Sequence, residues 1–190
     1  DARKSRGLGD VYKRQPHKQQ IAGLCRELSP LARRLGAVNT LTPLKNDGWH
    51  GHNTDAEGFL APLQEHAEEW RGSEAVVLGC GGSARAVVAG LQQLPLAAIH
   101  VAGRRPDALE TFLKDLKADQ SSESVQLIAT ELEPEPIRRV LKTSKLVVNS
   151  TPGGMQGHGT DKAMPLNRDL WAPLDSSMTL YDLIYTPRPT

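Results

Sequence analysis

The stretch "EAVVLGCGGSARAVVAGLQQLPLAAIHVAG", residues 74–103, narrows the possible folds more than any other part of the chain. It reads as an apolar run ending in glycines, a helix-forming segment, and a second apolar run. A run that is apolar throughout, rather than alternating, marks a strand covered on both faces. The rhythm continues with a helix over 106–118, a strand over 125–129, a helix over 135–143 and a strand over 145–150, and ends in the alternating "MTLYDLIY" at 178–185. Strands separated by helices of this length pair in parallel through crossovers. The spacing therefore predicts an α/β unit, a doubly wound parallel sheet, over residues 71–190.

The turn between the first strand and helix carries chemistry. "GCGGSARA" is a variant of G-x-G-x-x-G with Ala84 at the third, close-packing site. The first glycine permits the tight turn, the second lets backbone approach a pyrophosphate, and free N–H groups at the helix start face the anion. Gly79, Cys80, Gly81, Gly82 and Ser83 are the expected dinucleotide phosphate loop, with Cys80 standing in for a small residue. A strand before, a helix after and a second strand about 20 residues on supply the context that a bare glycine motif lacks. Cofactor choice is read at the end of that second strand, where an acidic residue suits a ribose 2′-hydroxyl and arginine a 2′-phosphate. This chain has "AGRRPD" there, so Gly103, Arg104 and Arg105 favour NADP(H), through the bidentate match of guanidinium to phosphate. Asp107 reads as first-turn helix decoration.

Residues 16–70 are expected to hold part of a second α/β domain and a linking helix. Ile21, Leu24, Cys25 and Leu28 recur at helical spacing from Lys18, with Ser29-Pro30 as the stop. "GAVNTLTPL" (36–44) reads as a strand and "NDG" (46–48) as a turn. Thr54 with Glu57 fits a capping box ahead of the apolar Phe59, Leu60 and Leu63. Residues 1–15 show neither period and carry five basic residues against two acidic ones, so the other 175 residues have a net charge of −2 within a whole-chain +1. That end is read as a disordered or foreign tail. Near-neutrality leaves no electrostatic case for nucleic acid or an anionic membrane as partner. No apolar run approaches the roughly 20 residues of a spanning helix. Cys25 and Cys80 lack metal or disulfide spacing and the histidines lack ligand spacing, so no metal is expected and a reducing, cytoplasmic setting is the default.

Taken alone, Lys18 reads as a solvated lysine and Asp55 as a partner of the helix dipole. Their neighbours make a pattern. "PHKQ", "GAVNTL", "NTDAEGF", "GCGGSARA", "NSTPGGM" and "YDLIYTP" occur in the order and spacing of the shikimate dehydrogenases, a family that the chain resembles from Pro16 to its last residue. The resemblance implies reduction of 3-dehydroshikimate to shikimate with NADPH, within aromatic amino-acid and chorismate biosynthesis. It implies a cleft between a substrate domain and a Rossmann-like domain. Lys18 would be the catalytic lysine and Asp55 its paired carboxylate, both touching substrate. Asn39 and Tyr185 would be further substrate contacts, and Thr151 and Leu183 would line the nicotinamide side. Gly103 to Arg105 replace the family's frequent Asn-Arg-Thr and keep the arginine at 104.

The chemistry agrees with those residue types. A lysine ammonium can donate a proton and stabilise developing negative charge, and neutral amide and phenol groups suit a polyol. The implied partner is a small molecule, with the protein a monomer or homodimer. Residues 153–164 would form a mobile loop over the cleft. Family members begin with a stretch carrying a Ser-x-Ser pair and continue beyond "YTPRPT", so the resemblance implies a chain cut at both ends with impaired turnover. Two other readings stay open at this level. A quinate/shikimate dehydrogenase paralogue would act on quinate with NAD. A non-catalytic NADP-binding module would bind NADPH with no effect of Lys18→Ala.

Overall fold

The computed structural model describes residues 12–13, 18–117, 125–151, 166, 168–171 and 176–183. The chain packs into two compact units that divide between Leu63 and Gln64. The first unit contains β1 (Tyr12–Lys13), α1 (Lys18–Ala22), β2 (Glu27–Leu28), α2 (Pro30–Leu35), β3 (Thr40–Pro43) and β4 (Trp49–His52), followed by α3 (Thr54–Gln64), which runs to the division. Its strands form one sheet in the order β1-β3-β4-β2. β3 and β4 are an antiparallel pair, and β2 runs parallel to β4. The turn between β3 and β4 places Asp47 at φ 66 and Gly48 at φ 99. Arg26 closes over it, donating to the carbonyls of Asn46 at 2.8 Å and Asp47 at 3.3 Å.

The expected helix from Lys18 to Leu28 is broken. α1 ends at Ala22, and Gly23 and the exposed Leu24 lead into β2. Glycine weakens the helix at that point, and pairing with β4 draws the next residues away. Arg26 N bonds to Trp49 O at 3.0 Å and Ser29 N to Gly51 O at 2.9 Å. Ser29-Pro30 opens a helix instead of closing one: Ser29 accepts from Ala32 N at 3.2 Å, and Gly36 ends the helix at φ 57. The strand expected over 36–44 is confined to Thr40–Pro43 because Gly36 serves α2. Tyr12 and Lys13, inside the stretch read as a tail, pair with Leu41 and Thr40. The rest of residues 1–15, and residues 153–164, lie outside the described residues.

Ile21, Ala32 and Val38 form a small core, with Cys25, Leu28 and Leu41 against it. Gly51 of β4 sits among them. A Cβ there would come within 2.6 Å of Val38 Cγ2, 2.7 Å of Cys25 Sγ and 2.9 Å of Leu28 Cδ2. All three neighbours would have to move at once. Gly51→Ala is therefore expected to destabilise the unit by about 1–3 kcal/mol, read as a lower urea midpoint at unchanged slope.

The second unit opens with a 3-10 turn, Ala67–Trp70. It continues with β5 (Glu74–Leu78), α4 (Gly82–Leu91), β6 (Ala98–Gly103), α5 (Pro106–Lys117), β7 (Gln126–Glu131), α6 (Pro134–Leu141), β8 (Ser144–Asn149), α7 (Arg168–Trp171) and β9 (Thr179–Asp182). The five strands pair in parallel in the order β7-β6-β5-β8-β9, the doubly wound sheet that the sequence predicts. Central β5, β6 and β8 are buried almost without a break, while the edge strand β7 buries only Leu127 and Thr130. That contrast is the one expected of a sheet covered on both faces. On one face Val76, Leu78, Ala102 and Val147 pack with Ile137 and Leu141 of α6 and Leu170 of α7. Strand order reverses between β5 and β8, and sheets of this kind bind ligands beyond the carboxyl ends of their strands at such a point. Among the described residues no helix is long and apolar enough to cross a membrane.

Candidate active site

At the reversal point the chain leaves β5 through Gly79, whose φ of +105 is a conformation that side chains rarely adopt. Its N–H bonds to Ala102 O at 2.8 Å. A Cβ on Gly79 would stand 3.0 Å from Ser150 Oγ and 3.2 Å from Thr151 Cγ2, so this turn packs tightly on the segment leaving β8. Cys80 Sγ lies 3.3 Å from where a Cβ on Gly103 would stand, which ties a small residue at 103 to the thiol at 80. Around Gly81 and Gly82 the situation is opposite: a Cβ at either would meet nothing within 4 Å. Gly81 is the N-cap of α4 and offers no side chain to the first helical N–H groups, and Ala84 is fully buried. Unsatisfied N–H groups beside open space are what an anion site requires.

Ser83 is exposed at the start of α4, and Arg104 and Arg105 are exposed directly after β6. Arg85, the arginine inside the glycine motif, is committed elsewhere. It pairs with Asp115 of α5 at 2.8 Å and lies 5.3 Å over the Phe112 ring. Across the sheet, Asn149 ends β8 at 7% exposure. Its Oδ1 accepts from Thr151 N at 3.0 Å and from Thr151 Oγ1 at 2.7 Å, and its Nδ2 donates to Asp182 Oδ1 at 3.0 Å. Leu183 N bonds to Asn149 O at 3.1 Å, so Thr151 and Leu183, separated by 32 positions, are held to one residue.

The first unit gathers a separate group. Thr40 pairs with His52, and Lys13 pairs with Thr40, which brings the start of β3 to the end of β4 and the start of α3. Asn39 lies there at 2% exposure. Its Oδ1 accepts from Thr54 N at 3.0 Å, Thr40 Oγ1 at 3.0 Å and Thr54 Oγ1 at 3.3 Å. A backbone N–H can only donate, so these bonds fix which end of the amide is which. Asn39 Nδ2 is buried with no partner among the described residues, a state that costs about 1–3 kcal/mol. An acceptor oxygen on a ligand would complete it.

Asp55 sits half-buried in the first turn of α3. The residue ahead of that helix that accepts from it is Asn53 and not Thr54. Asn53 Oδ1 takes a bond from Asp55 N at 3.3 Å and its Nδ2 donates to Ala37 O at 3.1 Å. Thr54 is instead the first helical residue, its hydroxyl turned to Asn39 and Thr40, so the expected capping box gives way to this arrangement. Nearby, His52 reaches Thr42 Oγ1 at 3.2 Å, and its ring centroid lies 4.2 Å from that of His50. Burial first, then the charge of His50, holds His52 below the usual imidazole range, with Glu57 opposing. Lys18 begins α1, but its side chain and the whole of Tyr185 lie outside the described residues. Among the described residues no group of three or more His, Cys, Asp or Glu could hold a metal ion.

Sequence reasoning gave Thr54 only a capping role and did not single out Thr40 or Asn149. One signal was available: the doublet Asn-Thr occurs at 39–40 and again at 53–54, and the hairpin register makes the two neighbours.

No family model matches the chain. The shikimate dehydrogenase (NADP(+)) of Synechocystis sp. is 43% identical over 175 residues, covering 92% of this chain and 58% of that protein. Shikimate 5-dehydrogenase from Listeria monocytogenes, solved in complex with shikimate and NAD, shares the fold with a TM-score of 0.79 at 22% identity, over 94% of this chain and 61% of that one. Shikimate 5-dehydrogenase from Thermus thermophilus, in complex with NADP(H) and shikimate, gives a TM-score of 0.67 at 27% identity, over 92% of this chain and 57% of that one. The chain spans about 58% of the length of the curated relatives it matches, and over that span it belongs to the shikimate dehydrogenase family.

Proposed function

We propose that this chain supplies the NADP(H)-binding unit and part of the substrate-binding unit of an NADP-dependent shikimate dehydrogenase, which reduces 3-dehydroshikimate to shikimate. Residues 71–190 serve as the nucleotide domain in this reading, and 16–70 as the substrate side with its linking helix. The observation that carries the reading is the open space at Gly81 and Gly82, set at the start of α4 on the reversal point of a parallel sheet. Cβ-free backbone there lets a pyrophosphate approach the helix N–H groups.

When bound, NADP(H) supplies or takes the hydride. The residues of the chain do the rest. Gly79 to Ser83 hold the pyrophosphate, Arg104 with Arg105 pairs with the 2′-phosphate, and Thr151 and Leu183 border the nicotinamide. Asn39 and Tyr185 hold substrate oxygens. Lys18 exchanges the proton at its Nζ with the reacting oxygen and stabilises negative charge developing there, and Asp55 orients that lysine.

Fluorescence titration of the chain with NADPH and, separately, NADH tests the reading. NADPH should bind clearly tighter. The double variant Arg104→Ala/Arg105→Ala should lose about 10- to 100-fold in NADPH affinity, the worth of charge-assisted hydrogen bonds, with NADH binding unchanged. Binding of neither nucleotide by a folded chain would sink the proposal.

A further inference from the structure

We propose that Thr54 is a positioning residue for substrate recognition: with Thr40 it locks the Asn39 amide so that its NH₂ end alone is offered to the ligand. The inference rests on the reading that Asn39 faces the substrate. A primary amide has two ends of nearly the same shape and opposite hydrogen-bonding sense. Turned by half a revolution, Asn39 would present an acceptor and repel the oxygen it is meant to hold.

Three donors hold the Asn39 oxygen, and of these the Thr54 N–H forbids the turn, since a hydroxyl can accept from an NH₂ as readily as it donates. Thr54 contributes two of them, its N–H at 3.0 Å and its hydroxyl at 3.3 Å, and Thr40 Oγ1 the third at 3.0 Å. In the turned state the Thr54 N–H would face an NH₂ group inside a site where Asn39 is 2% exposed, leaving donors against donors. The two hydroxyls also lie 3.3 Å apart, and because each has one proton, a hydroxyl that donates to the other does so in place of its bond to Oδ1. The three side chains thus satisfy one another, and Asn39 Nδ2 is the buried polar atom among them left without a partner in the described residues. A site built this way selects an oxygen that accepts and rejects an analogue lacking it, since the buried donor would stay unpaired. Thr54 also directly precedes Asp55 in the first turn of α3, so one short backbone segment fixes both the direction of the amide and the start of the carboxylate.

The test uses the whole chain labelled with ¹⁵N and titrated with shikimate, reading the Asn39 side-chain NH₂ signals, which are assigned by their loss in Asn39→Asp. In the wild type these signals should shift saturably with shikimate. Thr54→Val should bind shikimate roughly three- to tenfold more weakly, the range for one neutral hydrogen bond. Its Asn39 signals should broaden as the amide, held by one hydroxyl fewer, loses its fixed direction, while the Thr54 N–H still sets which end faces inward. Thr54→Ser, which keeps the hydroxyl, should restore both. Thr40→Val removes the other hydroxyl without touching α3 and is read the same way if Thr54→Val does not fold. Wild-type affinity and a single sharp Asn39 pair in Thr54→Val, with Asn39 still responding to shikimate, would overturn the proposal and leave the substrate reading intact. Equal weakening in Thr54→Ser would make Thr54 merely structural and also overturn it. Asn39 signals unmoved by shikimate in the folded wild type would remove the substrate reading itself, and the proposal with it.

Discussion

Replacing Gly79 by alanine is expected to lower stability by about 2–4 kcal/mol and to abolish measurable NADPH binding. Two costs combine. The φ of +105 has no comfortable L-residue equivalent, and the new Cβ would lie 3.0 Å from Ser150 Oγ. That oxygen cannot yield easily, because it donates to Leu78 O at 2.7 Å while Ser150 N bonds the same carbonyl at 3.0 Å. Alanine must therefore push the end of β5 away from the segment leaving β8, at the point where the helix N–H groups are aimed. Gly82→Ala supplies the contrast. Its Cβ meets nothing within 4 Å, so the variant should unfold at the wild-type urea concentration and yet bind NADPH more weakly, its methyl group occupying the space the pyrophosphate needs. Urea unfolding and NADPH fluorescence on the two variants separate fold from ligand contact. Wild-type NADPH affinity in Gly79→Ala would show that this turn does not set the phosphate loop.

The second unit was legible because its signals are local. Five strands, their order of appearance and the glycine turn all follow from apolar runs punctuated by glycine, and the central strands are buried as continuously as their composition implies. The first unit was harder for a physical reason. Ile21, Leu24, Cys25 and Leu28 have helical spacing, yet Leu24 is 79% exposed while Cys25 and Leu28 pack on the core. In so small a core, a two-residue pairing of β2 with β4 outweighs propensity. Ser29-Pro30 is ambiguous by nature, since the dipeptide that stops one helix is also a good N-cap and first turn for the next. The Asn39 cluster and the Arg85–Asp115 pair are tertiary, joining residues 15 and 30 positions apart through register and helix packing, and no local pattern encodes them.

Asn149→Leu is expected to cost about 2–4 kcal/mol and to uncouple the ends of β8 and β9. The substitution keeps the branched shape and leaves no cavity, so the loss comes from the extra bulk of the two methyl groups and from hydrogen bonds. Three are removed: those from Thr151 N and Thr151 Oγ1 to Oδ1, and that from Nδ2 to Asp182 Oδ1. The backbone bond from Leu183 N to Asn149 O at 3.1 Å survives, so the strands should stay paired while the residues beyond them lose their fixed relation. NADPH affinity should then fall although Asn149 is assigned no cofactor contact. Asn149→Asp distinguishes the two halves of the network. It keeps an acceptor for Thr151 but sets a carboxylate against Asp182, so it should be destabilised at pH 7. Its deficit relative to wild type should shrink as the pH falls. The sign follows from repulsion being present only when both are ionised. If Asn149→Asp is as stable as wild type at every pH, the bond to Asp182 contributes nothing, and Thr151 alone is what Asn149 holds in place.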